Sequence, residues 1–127
     1  SASPDVLYVS SQVKKYLTEL CRTHLNFMCQ GFSKRLGSKI RKVSLRDTRS
    51  RWGSCSSDAN LMFSWRLVMA PEDVLAYVAA HEVAHLKHMN HSKDFWGTVE
   101  YLFGPYKKER AWLKQNGPLL HRYKFES

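Results

Sequence analysis

Acidic residues are scarce in this chain. Its 127 residues carry 11 Asp and Glu against 20 Lys and Arg, a formal net charge of +9, and the sequence pI is about 9.7. An excess of that sign attracts phosphates, nucleic acid or acidic polypeptide; the plainer reading is solubilising charge. One dense group, Lys34, Arg35, Lys39, Arg41, Lys42, Arg46, Arg49 and Arg51, is a candidate anion-facing surface. Cysteine is also rare. Cys21, Cys29 and Cys55 are odd in number and form no CxxC pair, which argues against a disulfide framework and suits reduced thiols in a cytoplasm. A long hydrophobic run is missing, because the longest apolar stretch is broken by Pro71, Glu72, Asp73, His81 and Glu82; no membrane span is expected. Ser1 to Pro4 lack the apolar core of a signal peptide. There is no internal repeat, low-complexity segment or linker. With 43% hydrophobic and 13% aromatic residues, the chain reads as one folded domain over residues 1–127.

What is present is concentrated between His81 and His91. His81 and His85 stand four residues apart, one helical turn, so their rings face the same way. Glu82 adjoins the first, and His91 follows six residues after the second. This is the residue set of a hydrolytic zinc site, with imidazoles as ligands and a carboxylate beside them to move protons. His88 lies on the same stripe, but about 10 Å of axial rise separates 81 from 88 in a straight helix. The chain must therefore turn before it delivers a third ligand. Asn90 tolerates the left-handed conformation that ends helices, which lets His91 swing back, and Ser92 is a good N-cap for a new helix. The expected ligands of one Zn2+ are His81, His85 and His91, with Glu82 as general base. Cys55, in a turn-like stretch, is a less favoured metal ligand.

Periodicity supplies the surroundings. Residues 5–36 read as helix, with Val6, Val9, Val13, Tyr16, Leu17 and Leu20 at helical spacing and Gly37 as its stop. A strand is expected over 40–49, a turn over 52–60, and a second strand over 61–69, where Leu61, Phe63, Trp65, Leu67 and Met69 alternate with other residues. These two strands are expected to form a hairpin or an adjacent antiparallel pair. Pro71 opens the metal helix with Glu72 and Asp73 in its first turn. Residues 74–86 are apolar nearly all round, the mark of a buried helix. Further helices are expected over 92–103 and 106–115, the second stopped by Asn116-Gly117-Pro118; residues 119–127 carry no assignment. Cys21 and Cys29 are expected in the core, and Trp52, Trp65 and Trp96 in the core or a cleft wall.

Three blocks together carry a family likeness: Arg46 to Cys55 with its RWGSC end, Ser64 to Pro71, and the extended histidine motif through Trp96. In these the chain resembles the YgjP-like metallopeptidase domain, a bacterial relative of the SprT-like proteases. The resemblance implies a zincin-like α+β fold, in which a small antiparallel or mixed sheet packs on a buried HExxH helix between N- and C-terminal helices. It implies an edge strand beside the cleft, zinc on His81, His85 and His91, Glu82 as base, and a cytoplasmic protein.

The expected activity is zinc-dependent peptide hydrolysis, with polypeptide as partner. An extended substrate is expected to add to the strand around 61–68. Candidates for oxyanion or substrate contact are His88, Tyr106, Arg110 and Arg51. Two alternatives keep the metal: a phosphohydrolase acting on nucleotides, recruited by the basic surface, and a nucleic-acid-binding module with a structural zinc. The sequence does not fix the oligomeric state.

Overall fold

The computed structural model describes residues 4–122 and Phe125, with side chains from Ser10 onward. Its elements in chain order are α1 (Pro4–Leu36), β1 (Lys42–Arg46), β2 (Gly53–Cys55), β3 (Asn60–Ser64), a 3-10 turn (Trp65–Met69), α2 (Glu72–Ala84), α3 (Lys93–Phe103) and α4 (Lys107–Leu120). The helices and the small mixed sheet make an α+β fold.

The long first helix presents Cys21, Leu25 and Cys29, spaced by four residues, and all three are fully buried. It stops where expected. Gly37 takes a φ of +77°, and the N–H groups of Gly37 and Ser38 both donate to the Ser33 carbonyl, at 2.9 and 3.1 Å.

The sheet corrects three expectations. Its strand order is β1-β3-β2, and β1 runs parallel to β3, pairing Val43 with Leu61 and Leu45 with Phe63. The antiparallel pair expected between these strands is absent because the turn-rich block contains a third strand. β2 reverses the chain once before β3 reverses it again, and it is β2 that pairs antiparallel with β3. β3 is therefore central, with both edges occupied, and cannot accept the added substrate strand expected there. The second strand is also shorter than expected. It ends at Ser64, whose Oγ accepts a hydrogen bond from the Arg66 N–H at 3.3 Å and starts the 3-10 turn. Trp65, Arg66 and Leu67 are all buried in this turn, so the period of two read from the sequence does not continue past Ser64.

α2 runs through the core. Leu75, Val78, Ala79, Ala80, Val83 and Ala84 are all buried against α1, α3 and the sheet. No described helix is long and apolar enough to cross a membrane.

α4 continues past its expected stop and carries Pro118 inside it. Its last turn is held from outside. Gly117 lies so close to Trp52 that an added Cβ would sit 3.1 Å from the indole. The Trp52 ring stacks on His121 at 4.5 Å and 16°. Arg66 donates to the Leu120 carbonyl at 3.1 Å, and Arg49 donates to the His121 carbonyl at 3.0 Å. Two guanidinium groups thus satisfy carbonyls that a helix end leaves open. Part of the basic cluster is consumed in this way. Arg35 does the same for α3, donating to the carbonyls of Leu102 and Tyr101 at 2.8 and 2.9 Å.

Arg66 is buried, and its Nε and Nη2 donate to the two carboxylate oxygens of Asp47 at 2.8 and 3.3 Å. The Arg66 hydrogen bonds and charge hold the Asp47 carboxyl below its ordinary value. A carboxylate whose pKa is depressed by folding contributes stability that is complete above the ordinary carboxylate range and is lost as pH falls through the folded value. Asp47→Asn is expected to cost about 1–3 kcal/mol near neutral pH, with the partial exposure of Asp47 keeping the figure below that of a fully buried pair. Urea unfolding at a series of pH values checks this: the gap between the two proteins closes in strong acid.

Candidate metal centre

α2 ends early, at Ala84. The N–H groups of His85 and Leu86 bond three residues back, to Glu82 and Val83, at 3.2 and 2.9 Å, which tightens the last turn. The chain then turns without the left-handed residue expected at Asn90: the described non-glycine residue with positive φ is Ala59, in the β2–β3 turn. Tightening at His85 accomplishes what a left-handed Asn90 was expected to do. Ser92 caps α3 as expected, its Oγ accepting from the Phe95 N–H at 3.2 Å.

These turns bring three rings together. Ligand atoms of His81, His85 and His91 all lie within 4.8 Å of one another. Ring centroids are 5.1 Å apart for His81 and His85, 5.2 Å for His81 and His91, and 4.9 Å for His85 and His91. Phe95 packs against all three, at 4.9, 4.4 and 5.0 Å, and Trp96 backs His81 and His91 at 5.5 and 5.9 Å. Phe95 gave no functional signal in the sequence. It reads as a core position of α3, and only the return of His91 turns it into the floor of the cluster.

The donor set suits a divalent ion of the zinc kind. His85 Nδ1 lies 3.0 Å from the His88 carbonyl oxygen, an acceptor, so Nδ1 carries the proton and Nε2 keeps a lone pair. Burial, reinforced by the charges of His85, His91 and Arg110, pushes the His81 imidazole down to about 3, and burial also lowers His85. Both rings are therefore neutral near pH 7, the form that ligates. His81 Nδ1 is buried with no hydrogen-bond partner among the described residues, so the protein alone does not satisfy that ring. Three imidazoles converging on one point fit zinc with an open position.

Glu82 points into the same cavity of about 300 Å³, which is also lined by Arg51, Gly53, Cys55, Met89 and the three histidines. Burial raises the Glu82 carboxyl to about 8, and the Arg51 guanidinium pulls against that rise. A carboxyl tuned toward neutrality can both accept and return a proton. Its position depends on Gly53, where an added Cβ would lie 2.9 Å from Glu82 Cγ and Oε2. Only glycine leaves that space. The RWGSC block contained this residue, but nothing in the sequence tied it to the glutamate.

The remaining candidates divide. Arg51 lines the cavity. The His88 ring instead lines a separate basic recess with Arg35, Lys87 and Lys93, and serves the centre through its carbonyl. Tyr106 packs edge-on against Trp96 and tilted against Tyr77, at 5.0 and 5.9 Å. Arg110 lies over the Trp96 ring at 4.7 Å and acts on His81 by charge. Cys55 borders the cavity from β2 but stands outside the three-histidine group.

Comparison with known proteins agrees with this architecture. The backbone is similar to the metallopeptidase zymogen abylysin of Pyrococcus abyssi, with a TM-score of 0.62 and 21% identity over 75% of this chain and 94% of the other. It is also similar to the metallopeptidase zymogen jannalysin of Methanocaldococcus jannaschii, with a TM-score of 0.59 and 20% identity over 75% and 96% of the two chains. These likenesses show that the chain shares the fold of these two proteins. No curated protein matches the chain. The sequence profile of the YgjP-like metallopeptidase domain matches residues 3–116. The chain belongs to that family, and is a metallopeptidase acting on polypeptide.

Proposed function

We propose that His81, His85 and His91 hold one zinc ion and that Glu82 is the general base for hydrolysis of a peptide bond. The observation that carries this reading is the meeting of three ligating rings with a carboxyl raised to about 8 in one cavity. When bound, zinc supplies Lewis acidity, enough to make water a usable nucleophile near neutral pH. Glu82 takes the proton of the attacking water and returns it to the leaving amine. Phe95 and Trp96 hold the rings in place and shield them from solvent on one side.

The strand edge supports polypeptide as the substrate. Among the described residues β2 pairs on one side only. Within its register, Trp52 O accepts from Ser64 N at 2.9 Å and Asn60 O accepts from Ser56 N at 3.0 Å. The alternation of an antiparallel ladder then turns the N–H and C=O groups of Gly53 and Cys55 away from β3, onto the open edge of β2, and both residues line the cavity. These groups suit an extended peptide laid along β2 by strand addition. They favour a peptide over a nucleotide, which has no strand to pair. The unpaired Cys21, Cys29 and Cys55 support a reducing, cytoplasmic setting.

Three outcomes are expected. Zinc at a thousandfold excess over its Kd stabilises the protein by about 4 kcal/mol; chelation abolishes both activity and that increment, and His81→Ala never shows it, as thermal unfolding with and without zinc will measure. Glu82→Gln keeps one zinc per chain by elemental analysis and loses about 10²–10⁴-fold in kcat. Gly53→Ala also keeps its zinc, but displaces the Glu82 carboxylate and lowers kcat by about 10–100-fold. Full turnover in a zinc-loaded Glu82→Gln protein would refute the role given to that residue.

A further inference from the structure

We propose that Arg51 forms a carboxylate-binding subsite of the peptide groove, one that selects substrates bearing an acidic group close to the bond that is cut. The inference rests on the peptidase reading above and adds a chemical class of substrate to it.

Arg51 is where three cavities adjoin. It lines the metal cavity of about 300 Å³, beside Gly53 and Glu82. It lines a second cavity of about 230 Å³, walled by Trp52, Tyr77, Val78 and Leu113. It also lines a third of about 440 Å³, bounded by Arg49, Trp52, Pro118 and His121. Together these form a groove leading from the reaction centre across Arg51 to the end of α4. Among the residues lining it, Glu82 is the sole acid.

The two arginines of the groove are not equivalent. Arg49 is committed: its Nη2 lies 3.7 Å from Asp47 Oδ2, and its Nη1 donates to the His121 carbonyl. Arg51 is exposed, and among the described residues its guanidinium makes no hydrogen bond and no ion pair. Its backbone, by contrast, is braced. Thr48 Oγ1 donates to the Arg51 carbonyl at 2.7 Å. The next residue, Trp52, is stacked on His121 and accepts from Ser64 N. Arg51 is thus an uncommitted fork of donors on a fixed backbone, opening onto the groove, an arrangement suited to bidentate capture of a carboxylate.

Spacing sets the range. Gly53 abuts Glu82, and Arg51 precedes it by two residues, roughly 7 Å along an extended chain. The recognised carboxylate therefore lies within about two to three residues of the scissile bond. An Asp or Glu side chain supplies it, or the free C-terminus of a short peptide.

Matched peptides test this on the zinc-loaded protein. One pair exchanges Glu for Gln at each position flanking the cleaved bond; a second pair has a free acid or an amide at the C-terminus. The acid member is expected to show about tenfold higher kcat/KM, the size of one charge-assisted bidentate contact in a wet groove. That ratio falls to about one in Arg51→Gln and is partly kept in Arg51→Lys. A preference confined to the first pair assigns the side chain as the source, and one confined to the second assigns the terminus. Binding of the same peptides to the Glu82→Gln protein, read by tryptophan fluorescence, is expected to show the same ordering and to weaken from 50 to about 200 mM salt. Equal rates and equal binding for acid and amide peptides overturn the subsite, as does a preference that survives Arg51→Gln. So does an Arg51→Gln effect that only shifts the pH profile and leaves the acid-to-amide ratio intact, since Arg51 then acts through Glu82. Failure of the wild-type protein to cleave any peptide overturns the peptidase role of Glu82 instead, and the binding arm still decides the subsite.

Discussion

Putting two histidines and a glutamate on a helix that is apolar on every side is unfavourable unless a partner accepts them. Most of this molecule follows from that constraint. α2 is largely buried from Val74 onward, with Ala76 and His81 half-buried, so His81, Glu82 and His85 have little access to solvent. They can be satisfied only at one point, where the helix ends. The chain meets the demand by tightening the last turn at His85, returning His91 to the same place and flooring the cluster with Phe95. Desolvation keeps the His81 and His85 rings neutral and the carboxyl within reach of protonation near pH 7. One physical cause thus tunes both the ligands and the base.

The segment before β2 serves this centre from the opposite wall. Asp47, Arg49, Arg66 and Trp52 tie the start of the sheet to the end of α4. The tie fixes the backbone on which Gly53 and Arg51 sit. Gly53 leaves room for the Glu82 carboxylate, and Arg51 places a cation at the junction of the groove. Two members of the basic cluster that composition suggested as an anion-binding surface, Arg35 and Arg49, are occupied in helix capping. The guanidinium groups of Arg35, Arg49 and Arg66 are spent on carbonyl oxygens within the fold.

Local chemistry made some of this legible in the sequence, and long-range pairing concealed the rest. The i, i+4 spacing of His81 and His85, the Ser92 cap, the Gly37 stop and the buried α2 all depend on neighbours a few residues away, and each could be read directly. The parallel β1–β3 pairing could not, because it depends on β2, three residues long and hidden among turn formers. The extension of α4 through Pro118 was equally hidden: its support comes from Trp52, Arg49 and Arg66, more than fifty residues earlier. Asn90 shows a subtler limit. A turn was required there, and left-handed Asn was a sound way to build it, but tightening the helix end achieved the same reversal.

The most direct measurement is anomalous diffraction at the zinc edge from crystals grown with stoichiometric zinc. One peak about 2.0–2.1 Å from ring nitrogens of His81, His85 and His91 is predicted, with Glu82 adjacent and not coordinating. A peak held by Cys55, or a His91 ring turned out to solvent in zinc-saturated protein, would contradict it.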